Sequence, residues 1–107
     1  MEVNSSNFKE EVLDSALPVI VDFWAEWCIP CRMIENTILN LEKKYEGKVK
    51  IVRVNVDENQ DIAVQYNIMS IPTLCFFING VLADRIVGAV PAYIIENKIR
   101  QILDIKP

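Results

Sequence analysis

The sequence predicts an α/β protein with a mixed central β-sheet and helices on both faces, and three observations carry that prediction. Residues 18–24, Pro-Val-Ile-Val-Asp-Phe-Trp, form an apolar run broken only by Asp22, as suits a central strand covered on both sides. A helix-period pattern, Ile34, Ile38, Leu41 and Tyr45, follows it, and residues 50–56 then alternate in polarity. Asn79-Gly80 stands between two apolar runs, which is a strong short hairpin signal. A strand–helix–strand connection implies parallel strands, and a hairpin adds antiparallel ones. With 107 residues, 51% of them hydrophobic, the chain can bury one core and is too short for two, so residues 1–107 are expected to form a single domain.

Taken in order, Ser5, Ser6 and Asn7 offer helix caps before Phe8, Val12, Leu13 and Ala16, which share one helical face. Pro18 ends that segment and opens the first strand. A helix from about Cys31 to Tyr45 follows, with Gly47 as its stop signal. In the next strand, Lys50 to Val56, residues Val52, Val54 and Val56 share one face and Ile51, Arg53 and Asn55 the other. A short helix is expected over Asn59 to Tyr66, a strand over Leu74 to Ile78, and its hairpin partner over Val81 to Val87, closed by Gly88. Pro91 opens the last helix, with Ile95, Ile99 and Ile102 as its buried stripe.

Composition narrows the function. The formal charge of −4 argues against a nucleic-acid partner. Residues 1–13 are polar and charged, without an apolar signal core, and no later stretch is long enough to span a membrane. A cytoplasmic protein is therefore expected, where a C-x-x-C pair is more often catalytic than a structural staple.

Cys28 and Cys31 stand three apart in Trp-Cys-Ile-Pro-Cys-Arg, at the join of the first strand and its helix. A thiol there faces unpaired backbone N–H groups and the positive end of the helix dipole, both of which favour the nucleophilic thiolate. Pro30 suits the first helical turn, where its missing donor costs nothing. One turn also keeps the sulfurs close enough to cycle between dithiol and disulfide. Half of a zinc site is the competing reading. The chain has no histidine and one further cysteine, Cys75, so a complete Cys/His site would need a second chain. A structural disulfide without chemistry is another alternative.

Asp22 shares a strand face with Ile20 and Trp24, which buries it. Burial disfavours the charged carboxylate and raises its pKa. That makes it a candidate proton acceptor for Cys31, against the alternative of a satisfied buried Asp with no role in turnover. Trp27 offers a flat apolar contact beside Cys28, whereas Trp24 reads as core. Cys75, alternating with Thr73 and Phe77, reads as a small buried hydrophobe, with a regulatory or dimer-forming thiol as the alternative.

The whole chain resembles the thioredoxin family. The resemblance rests on residues 21–28, Val-Asp-Phe-Trp-Ala-Glu-Trp-Cys, on Cys31, on Asn55-Val56-Asp57-Glu58-Asn59, on Ile71-Pro72-Thr73, on Asn79-Gly80 and on Val87-Gly88-Ala89. It implies a thioredoxin-like three-layer α/β/α sandwich and a monomeric protein-disulfide reductant needing no bound cofactor or metal. Its implied partners are disulfide-containing proteins and a thioredoxin reductase or equivalent electron donor. Carried over by position, Cys28 attacks the substrate disulfide and Cys31 resolves the mixed disulfide, with Asp22 assisting proton transfer. Ile71-Pro72-Thr73 matches the family's cis-proline loop beside the cysteines, where the exposed Ile71 backbone can pair with an extended substrate. Trp27, Ile29, Pro30, Ile71, Pro72, Thr73, Gly88 and Ala89 then form the substrate-binding rim. A disulfide oxidase or isomerase on the same fold, or a specialised redox partner or binding module, are the alternatives.

The chain departs from the family pattern at several positions. Ile29 stands where Gly is usual, and residues between such cysteines help set thiol pKa and potential. Arg53 replaces the usual Lys and would hold Asp22 ionised if the two were close. Asn36 replaces a proline that commonly kinks the long helix, so a straighter helix, or a kink with another cause, is expected. Asn67 and Ser70 replace glycines ahead of the cis-proline loop, which predicts a stiffer or reshaped loop.

Overall fold

The computed structural model describes residues 1–105; the expected domain limit at residue 107 lies outside them. Four strands, β1 (Val19–Trp24), β2 (Lys50–Asn55), β3 (Thr73–Ile78) and β4 (Val81–Val87), make one mixed sheet in the order β2-β1-β3-β4. β1 and β2 run parallel, with Asp22 opposite Arg53. β3 is antiparallel to both β1 and β4. The hairpin turn has Asn79 at φ 51° and Gly80 at φ 79°, as the Asn-Gly signal requires. Glycine is demanded twice at position 80, because a Cβ there would sit 2.7 Å from the Leu13 carbonyl oxygen.

Helices cover both faces. α2 (Glu35–Lys44) and α4 (Ala92–Ile105) lie on one, where Ile38, Leu41, Ile95 and Ile99 pack with Ile20, Leu74 and Phe76. On the other, Phe8 and Val12 from the N-terminal segment and Ile62 from α3 (Gln60–Gln65) pack with Val21, Phe23, Val54 and Phe77. Every β1 residue from Val19 to Phe23 is buried, as its unbroken apolar run predicts. The alternation in β2 sends Ile51 to the first core and Val52 and Val54 to the second. Residues 1–3 line the open edge of β2: the Arg53 N–H donates to the Met1 carbonyl and the Val3 N–H to the Arg53 carbonyl, each at 2.8 Å.

Three expectations are corrected. The N-terminal helix is a short π-helical turn, Lys9–Leu13. The Asn7 side chain is not its cap but accepts from the Asn4 N–H at 2.8 Å. The long helix begins earlier than expected, as α1 (Ile29–Met33), and is interrupted at Ile34 before α2. No proline stands there. The break coincides with a buried Ile34 side chain and a backbone at φ −98°, ψ 2°, so the interruption has a cause other than the family's proline. β2 stops at Asn55 rather than Val56 because Asn55 Oδ1 accepts from the N–H groups of Asp57 and Glu58, turning the chain.

Candidate active site

Cys28 and Cys31 are joined as a disulfide where β1 hands over to α1. Cys28 is the N-cap of α1, extended at φ −85°, ψ 104°, and its sulfur accepts from the Cys31 backbone N–H at 3.2 Å. This donor is the kind that stabilises a thiolate. Pro30 lies in the first turn, as its lack of a donor allows. In this disulfide form Cys28 is only 3% exposed and Cys31 only 1%, so an incoming thiolate must come into close contact with the chain to reach Cys28.

The Ile71–Pro72 bond is cis, and Cys28 Sγ lies 3.7 Å from the Ile71 carbonyl oxygen. The loop holding that carbonyl is tied on its far side by the Gly88 N–H, which donates to the Pro72 carbonyl at 2.8 Å. Gly88 has φ +98°, a left-handed conformation that glycine adopts freely. Ile71 packs on Cys28, Cys31 and Ala25. Thr73 does not face outward as a rim side chain. It is buried, and its hydroxyl donates to the Ser70 carbonyl at 2.6 Å, so it shapes the loop from below. Ile29 and Trp27 stand 71% and 68% exposed, and Pro30 and Ala89 are exposed too.

Trp27 is held in place by its indole N–H, which donates to Asp57 Oδ2 at 2.8 Å. One side of the ring borders a shallow apolar groove of ≈ 360 Å³, shared with Val56, Ile68, Met69, Ser70 and Ile71. Asp57 and Met69 were not singled out as site residues from the sequence. Asp57 lies in the quoted Asn55–Asn59 motif, but nothing in spacing announces a bond across thirty residues. A larger hollow, ≈ 640 Å³ between α2 and the β2 edge, has no cysteine in its wall, so its size says nothing about the chemistry.

Asp22 is 1% exposed. Its Oδ2 accepts from Arg53 Nε at 3.3 Å, while its Oδ1 has no hydrogen-bond partner. Burial pushes the carboxyl up to about 6, and the Arg53 charge and hydrogen bond pull against that rise. The guanidinium of Arg53 also lies over the Trp24 ring, 4.2 Å from its centroid. Trp24 is therefore more than core filler: it is half-buried and forms one wall of the Arg53 site. The predicted neighbourhood of Arg53 and Asp22 exists, yet desolvation outweighs the arginine. The structure does not join Asp22 to either sulfur by a hydrogen bond.

Cys75 is a free thiol, fully buried in the middle of β3, and burial raises its pKa to about 11. Among the described residues no group of three or more His, Cys, Asp or Glu could hold a metal ion, and no helix is long and apolar enough to cross a membrane.

The arrangement is suited to thiol–disulfide exchange: one shielded sulfur beside a backbone donor, a second sulfur one turn away, and a backbone carbonyl and apolar groove alongside. Comparison with known proteins agrees. The family model described as Thioredoxin matches residues 1–101. The thioredoxin of Synechocystis sp. is 50% identical over 102 residues, 95% of each chain. Thioredoxin 1 of Nostoc sp. is 56% identical over 90 residues, 84% of each. The chloroplastic M-type thioredoxin of Spinacia oleracea is 49% identical over 102 residues, 95% of this chain and 56% of that one.

Proposed function

The chain belongs to the thioredoxin family and is a thiol–disulfide oxidoreductase that reduces protein disulfides, and from that premise we propose how its residues divide the work. Cys28, as thiolate, attacks one sulfur of a substrate disulfide. A Cys28–substrate disulfide forms and the other substrate sulfur leaves as a thiolate. Cys31 then attacks Cys28 Sγ, the substrate's second sulfur leaves, and the Cys28–Cys31 disulfide closes. The substrate has gained two electrons and two protons. The observation that carries this order is the hydrogen bond from the Cys31 N–H to Cys28 Sγ, which favours charge on Cys28 rather than on its partner.

Asp22, through its unbonded Oδ1, takes the proton that Cys31 must lose before it attacks. The rim for the substrate consists of Trp27, Ile29, Pro30, Ile71, Gly88 and Ala89, with the buried Pro72 and Thr73 supporting it from beneath. The Ile71 carbonyl, beside the sulfur, pairs with an extended substrate backbone. A reductase of the thioredoxin-reductase type returns the two electrons. We further propose that residues 1–107 act as one monomeric unit in the cytoplasm, with the plastid as the alternative raised by the chloroplastic relative.

The test is the reduction potential of the Cys28–Cys31 couple, equilibrated against glutathione or dithiothreitol buffers. A value near about −270 mV, that of thioredoxin, supports the reductant. A value near about −120 mV identifies an oxidant instead. The absence of a reversible two-electron couple would shift the role to binding.

A further inference from the structure

The loop that brings Ile71 to Cys28 starts at the end of α3, and that end is finished with unusual care. The helix closes in a Schellman motif, with Asn67 at φ 55° in the left-handed position. The Ile68 N–H donates to the Ala63 carbonyl at 2.9 Å, and the Asn67 N–H to the Val64 carbonyl at 3.1 Å. These bonds leave the carbonyls at the turn itself, those of Tyr66 and Asn67, pointing out of the helix without helical partners. Both are taken by one side chain from the far edge of the sheet. Arg85 on β4 donates from Nη2 to the Tyr66 carbonyl at 2.9 Å and from Nη1 to the Asn67 carbonyl at 3.4 Å. The planar guanidinium is suited to bridging two oxygens at fixed separation, which an ammonium is not. At the other end of the same loop, the Ser70 and Pro72 carbonyls are taken by the Thr73 hydroxyl and the Gly88 N–H.

We infer that Arg85 is a positioning residue for substrate binding. By fixing the start of the 66–72 loop, it sets where the Ile71 carbonyl stands beside Cys28, so an incoming disulfide segment meets a backbone already in place. This inference rests on the proposal that Ile71 pairs with substrate. Preorganisation lowers the ordering cost of binding without changing the exchange chemistry, so the effect belongs in KM and not in kcat. Arg85 touches neither sulfur, and the Cys31 N–H that steadies Cys28 is independent of it.

The experiment measures kcat and KM for a disulfide-bridged peptide, together with the alkylation rate of Cys28 by iodoacetamide, in the wild-type protein, Arg85→Met and Arg85→Lys. The expected result for Arg85→Met is a KM raised about fivefold, with kcat and the alkylation rate within about twofold of wild type. Arg85→Lys keeps the charge but loses the fork, and is expected to retain at least half of that rise. It also carries the test if Arg85→Met does not fold. An unchanged KM overturns the inference even if melting temperature falls, since Arg85 is then only structural. Full recovery in Arg85→Lys also overturns it, since charge and not the clamp is then responsible. A wild-type protein that does not reduce the peptide at all is a different outcome: it defeats the reductase mechanism proposed above.

Discussion

Cys28 and Cys75 are both almost wholly removed from solvent, at 3% and 0% exposure, yet the structure gives them opposite chemistry. Cys28 caps a helix just beyond the end of β1, where a backbone N–H points at its sulfur. Cys75 lies in the middle of a central strand, packed with Val21, Phe23, Val54 and Phe77, where burial drives its thiol up to about 11. Burial by itself therefore does not decide whether a cysteine reacts. The ends of secondary-structure elements carry unpaired backbone donors, and their middles do not.

The sharpest way to break this contrast is to reduce the protein and treat it with iodoacetamide at pH 7. With a pKa of about 11, only about one Cys75 thiol in ten thousand is ionised at that pH. Peptide mapping is expected to show Cys28 labelled at least a thousandfold faster than Cys75, with Cys75 labelled only in denaturant. Comparable labelling of both would show that position in the strand gives no protection.

Asp22 sharpens the comparison as a third buried titrating group. Its folded pKa of about 6 stands above the ordinary 3.8, so the folded state binds the proton more tightly than the unfolded chain does. The stabilisation from that proton is complete below about pH 4 and is lost as pH rises through about 6. The shift of about two units corresponds to about 3 kcal/mol. Denaturant unfolding of Asp22→Asn, followed from pH 4 to pH 8, is expected to lack this decline. At pH 8 the variant should match or exceed wild type in stability while resolving mixed disulfides more slowly. A decline of wild-type size in the variant would assign the pH dependence to other groups.

The smallest effect expected is that of Cys75→Ala. Losing a buried sulfur leaves a small cavity and costs about 1–2 kcal/mol in urea unfolding, with peptide reduction unchanged. A loss of activity without loss of stability would make Cys75 a participant after all.

Much of this was legible in the chain because it is written in local signals. The unbroken apolar run of β1, the Asn-Gly turn and the cysteines at a strand–helix join each need only a few neighbouring residues to be read. The cis bond before Pro72 needed the family resemblance, since most X-Pro bonds are trans. The break at Ile34 and the π-helical turn at Lys9–Leu13 did not show, because helical periodicity tolerates a slip of one residue without losing its face. The Trp27–Asp57 bond and the Arg85 clamp were also hidden. Each joins residues far apart in sequence, and nothing in a linear reading pairs Trp27 with Asp57 or Arg85 with the end of α3. The pairing of Arg53 with Asp22 was foreseeable as proximity, but its outcome depended on how dry the site is, which only the packed structure reveals.

The three residues along the outer edge of β2 have a consequence for how the protein behaves in a crowded solution. A sheet edge with free N–H and C=O groups is a template for another strand, and such templates seed aggregates. Here both backbone groups of Arg53 are already occupied by residues 1–3. A chain cut back to begin after Val3 would expose a stretch rich in valine and isoleucine, and its risk would be colloidal rather than catalytic: precipitation from a solution in which every redox group was still intact.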